Sequence, residues 1–185
     1  DTAQAASLAG YLFFFVTRRP PGSTPGVTNQ PPVTLFMDGF VDGVAKYNEV
    51  HGTAVVALGW DKATQDGVFT GDFEDINKGL TTAQAFIDQG ADVILPVAGQ
   101  VGEGAARAAL DSGTASIIWV DSDGYDTLSP DFRPVLLTSV LKNTGSAVVE
   151  IVKTSIDDTF DNAPFIGTLE NGGVGIAPFH DLAPR

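Results

Sequence analysis

The sequence predicts an α/β domain: an open, mostly parallel sheet with helices on both faces and a β-hairpin at its C-terminal end. Three observations predict it. Short apolar runs rich in Val and Ile alternate with helically spaced segments along most of the chain. Strands separated by helical spans of roughly 10–15 residues pair in parallel, and right-handed crossovers then stack helices on both faces of one sheet. Near the end, the turn residues Asn171, Gly172 and Gly173 sit between two apolar runs, 164–169 and 174–178, a hairpin signal.

In chain order, residues 8–16 (LAGYLFFFV) fall far short of the ~18 apolar residues of a bilayer span. No basic region or small-residue cleavage site brackets them as a signal peptide, so they read as a buried helix. Five of the 11 prolines come next, from Pro20 to Pro32. Their missing donors and fixed φ disfavour helix interior and central strand alike, and the stretch reads as a loop or as disordered. The chain accordingly divides into 1–32, an N-terminal helix with a Pro-rich irregular segment, and a regular region, 33–185. That region opens with a helix whose apolar stripe is Phe36, Phe40, Val44 and Tyr47. Residues 53–58 (TAVVAL) suit a strand covered on both faces. A helix over 76–88 places Leu80, Ala83 and Ile87 on one side and stops at Gly90. Then come strand 91–97, a small-residue helix over 101–110 ending at Gly113, strands 116–120 and 135–140, and a helix over 144–156.

Composition removes several function classes. Lys and Arg number 10 against 23 Asp and Glu, a net charge of −13, so no basic surface exists to release counterions from nucleic acid or anionic lipid. The absence of cysteine excludes disulfides, thiolate metal sites and a cysteine nucleophile. Two histidines, His51 and His180, well separated, leave little for a zinc site or a Ser-His-Asp triad. No cofactor is expected.

In an open parallel sheet, ligands bind beyond the carboxyl ends of the strands. The residues there are Gly59, Trp60 and Asp61; 98–102; Asp121, Ser122 and Asp123; and Leu141, Lys142 and Asn143. Carboxylates, a lysine, glycines and an aromatic ring suit a small polar ligand with hydroxyls. Asp121 can accept two hydrogen bonds from vicinal hydroxyls, each charge-assisted bond worth ~1.5–3 kcal/mol, or it can cap a loop. Lys142 is either solvated or a donor to the same sugar. The GxxGxG run from Gly99 to Gly104 matches no phosphate fingerprint, and Glu103 would repel a phosphate, so it reads as a close-approach turn. The run from Asp121 to Asp126 breaks calcium-loop spacing. Asp72, Glu74 and Asp75 charge the start of the next helix, with Asp75 placed to accept its free N–H groups. Phe73, an aromatic in a polar turn, either stacks on a planar ring or packs in the core.

The segments PPVTLFMDGFVDGVAKYN, GWDKATQDGVFTGDFEDINKG, DQGADVILPVAGQVGEGA, WVDSDGY, LTSVLKN and NGGVGIAPF resemble, in this order, the basic membrane protein/purine nucleoside receptor family. These are substrate-binding lipoproteins of ABC transporters with a type I periplasmic-binding-protein fold, and the likeness, from about Pro31 to Asp181, is to the second lobe. The resemblance implies a nucleoside, a purine by family expectation, gripped between two lobes and delivered to a membrane permease. Carried over by position, Phe73 is the stacking aromatic, Gly99 a backbone contact, Asp121 a ribose-hydroxyl acceptor and Lys142 a ribose donor, with Trp60 at the rim. It further implies binding without bond-breaking and an extracytoplasmic lipoprotein whose membrane attachment is a lipid anchor that this chain lacks.

Two departures set further expectations. The family has a first lobe, a signal peptide and a lipid-bearing cysteine ahead of this region, so the chain reads as half a clamp. It also has a Val/Gly-rich central strand where this chain has Phe13, Phe14, Phe15 and RRPPGSTPGVTNQ. We therefore read the stretch as a local reading-frame or assignment error, which peptide mass mapping of residues 13–30 tests; if the residues are taken as they stand, that central strand is expected to be missing. Two other classes compete: the effector-sensing lobe of a transcription regulator, which needs a basic helix-turn-helix, and a nucleoside-processing enzyme, which needs an aspartate cluster for metal.

Overall fold

Neighbouring residues along the central strands enter opposite cores. Val93, Leu95, Ile118, Val120 and Leu137 join one buried cluster, whereas Ile94, Ile117, Trp119 and Leu136 join the other. This period of two is what a sheet covered on both faces requires. The computed structural model describes residues 1–17 and 21–182. In chain order its elements are α1 (Thr2–Thr17), β1 (Gly22–Ser23), α2 (Pro31–His51), β2 (Ala57–Leu58), β3 (Trp60–Asp61), β4 (Asp66–Gly67) and α3 (Ile76–Asp88). They continue with β5 (Val93–Ile94), α4 (Gly102–Ser112), β6 (Ser116–Asp121), α5 (Gly124–Thr127), β7 (Leu136–Lys142), α6 (Thr144–Ile156) and β8 (Val174–Ile176).

Among the described residues the main sheet runs β2-β1-β5-β6-β7-β8, parallel except for β8. Helices α1 and α2 cover one face through Ala5, Ala9, Phe13, Phe36, Met37 and Phe40; α3 and α4 cover the other through Ala83, Ala105, Ala106 and Ala109. Each fully buried Phe or Met contributes about 1.5–3 kcal/mol. The predicted bounds of α3 and α6 match, and the stripe of α2 is buried at Phe36, Phe40 and Val44. Tyr47 is half-buried at its edge.

The Pro-rich stretch overturns its reading. Residues 18–20, with Pro20, lie outside the described residues, but Gly22 and Ser23 form a central strand rather than a loop. They pair with Ala57 and Leu58 on one side and with Val93 and Ile94 on the other. The ladder continues through Gly26 N–H to Val68 O (3.0 Å) and Val27 N–H to Val97 O (3.0 Å). Pro25 lacks a donor, but its carbonyl still accepts from the Val97 N–H at 2.9 Å. The strand thus gives up one bond and keeps its place, so the expectation of a missing strand is wrong. Pro31 and Pro32 occupy the first turn of α2, where their N–H groups would have had no intrahelical partner. The packing also crosses residue 32, since Ala5, Phe13 and Val27 share a cluster with Phe36 and Phe40.

Two further expectations change. Residues 53–58 do not form a strand buried on both faces: only β2 pairs, it is the sheet edge, and Val56 is 54% exposed. The C-terminal hairpin survives only as its turn, in which Asn171 Oδ1 accepts from the Thr168 and Gly173 N–H groups at 2.8 and 2.9 Å. Residues 164–169 form no strand. Instead β8 joins β7 antiparallel, Val140 opposite Ile176 and Lys142 opposite Val174, because the edge of a seven-residue strand offers the better ladder.

Candidate functional site

Strands β1, β5, β6 and β7 point their carboxyl ends the same way, and the chain leaving each one lines a cleft of about 190 Å³. Thr28 lies beyond β1, Gly99 beyond β5, Asp121 ends β6 and Lys142 ends β7, while Phe36 and Phe73 supply apolar walls.

Phe73 is 56% exposed, and the turn around it explains why. Asp72 Oδ1 accepts from the backbone N–H groups of Glu74 (2.7 Å) and Asp75 (3.0 Å), and its Oδ2 pairs with Lys78 Nζ at 3.2 Å. These bonds, the Glu74 N–H first, then the Asp75 N–H and Lys78, hold the Asp72 carboxyl below the usual carboxylate range. The turn is tied to β1 by Thr70 N–H to Gly26 O (3.0 Å) and Gly71 N–H to Val27 O (2.9 Å). Asp75 caps α3 as expected, accepting from the Asn77 N–H at 3.0 Å. Opposite the turn, Gly99 has φ +54°, a left-handed conformation that favours glycine; a Cβ there would lie 3.9 Å from the Phe73 ring. The ring therefore faces bare backbone.

Asp121 also has a left-handed backbone, φ +71°, uncommon outside glycine but most accessible to Asp and Asn. It turns the chain out of β6, and its Oδ1 lies 2.7 Å from Lys142 Nζ. With side chains 53% and 34% exposed, the pair adds about 0–1 kcal/mol to stability at most. What it does is fix position. Lys142 Nζ also sits 4.8 Å over the ring of Phe36, which holds the ammonium against the cleft wall. A carboxylate with about four lone-pair sites and an ammonium with three N–H donors keep capacity for a polyol beyond their mutual bond.

Trp60 lies outside this lining. Its ring is 5% exposed, its Nε1–H donates to Asp38 Oδ1 at 2.9 Å, and it meets Phe69 edge-on, so it fastens the β3-β4 pair to α2. Asp123 is likewise committed elsewhere, capping α5 through the Tyr125 N–H and lying 2.8 Å from His180 Nε2. Among the described residues no group of three or more His, Asp or Glu could hold a metal ion. A larger groove, about 510 Å³, runs between α6 and residues 159–165, but none of the five candidates lines it. The strand-end cleft, where polar groups from four elements converge, is the better candidate.

Sequence reasoning missed Thr28 and Phe36 as cleft residues. Thr28 fell within the stretch read as irregular, and Phe36 carries the helical period of a core residue, which it also is, at 1% exposed.

The family model for ABC transporter substrate-binding protein PnrA-like matches residues 2–183. An uncharacterized lipoprotein of Pyrococcus abyssi is 28% identical over 179 residues, 93% of this chain and 42% of the relative. The chain thus spans about two fifths of that relative's length. An ABC transporter solute-binding protein of Aeropyrum pernix superposes with a TM-score of 0.78 at 25% identity, over 96% of this chain and 48% of that one. A transcriptional activator of the comK gene from Bacillus halodurans superposes at 0.70 and 19% identity, covering 97% and 57%, and shows the fold alone. The architecture is that of a type I periplasmic-binding protein, an open, mostly parallel sheet with helices on both sides.

Proposed function

The chain belongs to the PnrA-like ABC transporter substrate-binding proteins, and from that premise we propose that its cleft captures a nucleoside, of purine type, for uptake. The observation that carries the reading is the convergence of Phe73, Gly99 and the Asp121–Lys142 pair on one cleft. An exposed ring opposite bare backbone suits a flat heterocycle, and a carboxylate fixed beside an ammonium suits vicinal hydroxyls. In this reading Phe73 stacks on the base, Asp121 accepts from the ribose hydroxyls and Lys142 donates to them. The site binds and releases its ligand unchanged. The chain acts as the second lobe of a two-lobed clamp whose closure delivers the nucleoside to a permease, and the whole protein is an extracytoplasmic lipoprotein. The lipoprotein names of the Pyrococcus relatives support that placement.

Calorimetric titration of guanosine, inosine, uridine and ribose into the purified chain tests this. Phe73→Ala is expected to weaken nucleoside binding about fivefold to 150-fold, the equivalent of ~1–3 kcal/mol per stacked base. Asp121→Ala is expected to cost about tenfold to 150-fold for ribosides and much less for 2′,3′-dideoxyribosides, which offer no hydroxyl pair. A folded chain that takes up no nucleoside, or that releases free base from one, would sink the proposal.

A further inference from the structure

The hydroxyl of Thr28 is closed off from solvent and has no hydrogen-bond partner, although the residue itself is only half-buried and lines the cleft. An unsatisfied buried hydroxyl is costly, and such groups in a folded chain call for a reason. Nothing in the local backbone supplies one. Val27, the preceding residue, completes its ladder bond to Val97, and Asn29, the next one, donates its side-chain amide to Gln65 O at 3.0 Å. Ser23 and Thr24 of the same segment also carry buried hydroxyls without a partner, but of the three only Thr28 lines the cleft.

Position narrows what it could meet. Thr28 leaves the end of β1, and β1 is separated from β6 by β5 alone. Adjacent strands lie about 4.7–4.9 Å apart, so Thr28 stands about 10 Å along the sheet edge from the row that carries Asp121. That is roughly the span from the hydroxyls of a ribose to the far edge of its base. The Phe73 turn, tied to β1 through Gly26 and Val27, lies on the same side of the cleft as Thr28. A single step of χ1 carries the hydroxyl of a threonine into the staggered position held by its methyl or its hydrogen, so the hydroxyl can be re-aimed without moving the backbone.

We propose that Thr28 is a specificity-determining residue whose hydroxyl finds its partner on the heterocycle edge of the bound ligand. This rests on the nucleoside reading and deepens it: Asp121 and Lys142 hold the sugar end, and Thr28 reads the base end. Because a hydroxyl both donates and accepts, the partner is a ring nitrogen, an exocyclic amine or a carbonyl at the base edge.

The test compares the full chain with Thr28→Val, which keeps the shape and removes the hydroxyl, and Thr28→Ser, which keeps the hydroxyl. Calorimetry with guanosine, inosine and uridine is run beside thermal unfolding of the free protein. Thr28→Val is expected to bind at least one nucleoside about threefold to tenfold more weakly, the scale of one hydrogen bond, and Thr28→Ser to stay within about twofold. Free Thr28→Val is expected to melt no lower than the parent, because it removes an unsatisfied group. Parent-like affinity of Thr28→Val for all three nucleosides would overturn the inference and leave the nucleoside reading standing. A lowered melting temperature together with weaker binding would also overturn it, since the hydroxyl would then be structural. Failure of the folded parent to bind any of the three would overturn both.

Discussion

Phe73 owes its exposure to the residue before it. With one carboxylate oxygen Asp72 ties down two successive amides, and with the other it meets Lys78, so the ring between them projects into the cleft. Asp72→Ala removes the tie and is expected to weaken nucleoside binding without touching the ligand; Asp72→Asn, which keeps an acceptor oxygen, should retain most of it. The pH dependence has a definite sign. A carboxyl whose folded value is depressed contributes above its unfolded value of about 3.9 and loses that contribution as pH falls through the lower folded value. Amide exchange monitored by NMR should therefore find Glu74 and Asp75 equally protected from neutral pH down to about 4, with protection disappearing only in stronger acid. Trp60 offers the contrast. Trp60→Phe keeps an aromatic ring but drops the bond to Asp38 and leaves part of the indole's buried volume empty, and is expected to cost about 1–3 kcal/mol in chemical denaturation while leaving nucleoside affinity unchanged.

At the scale of elements, close backbone approach sets the two helical layers. In α4 a Cβ on Gly104 would run into the carbonyl of Ile76 in α3, and one on Gly79 into the carbonyl of Val101. Gly104→Ala gains up to about 1 kcal/mol of helix propensity, but the overpacking it forces costs about 1–3 kcal/mol, so net destabilisation is expected. Urea unfolding checks the sign directly. Elements differ in how far the sequence announces them. The helices over 76–88 and 144–156 were legible because their apolar spacing and stop signals are local, and strands 116–120 and 135–140 because continuous Val/Ile/Leu runs admit little else. The central strand β1 was not legible. GSTPGV sets only Thr24 and Val27 as strand-favouring side chains against two glycines and a proline, and it pairs because β2 and β5 flank it with complementary donors and acceptors, a tertiary effect invisible along the chain. The cleft lining obeyed the same rule: Gly99, Asp121 and Lys142 could be placed on it because strand ends are predictable, and Phe73 stood out as an aromatic in a polar turn, whereas Thr28 depended on the unseen strand and Trp60 turned inward to a partner 22 residues away.

For the molecule as a whole, the uneven feature is α6. No side chain of this helix is buried, and Val148, Val149, Ile151, Val152 and Ile156 are 46–76% exposed, with Phe160 lining a groove beside Ile151. The repulsion from a net charge of −13 is screened beyond about 8 Å at physiological ionic strength, and it does nothing to cover apolar atoms. Because these side chains touch little, replacing them should cost the fold little. The double variant Val149→Lys with Ile156→Lys is expected to unfold within about 0.5 kcal/mol of the parent, the ordinary range for surface substitutions, while binding markedly less of a neutral apolar dye such as Nile red. A large loss of stability would mean that α6 is packed in solution against something its exposure here does not show. Unchanged dye binding would place the accessible apolar surface elsewhere on the molecule.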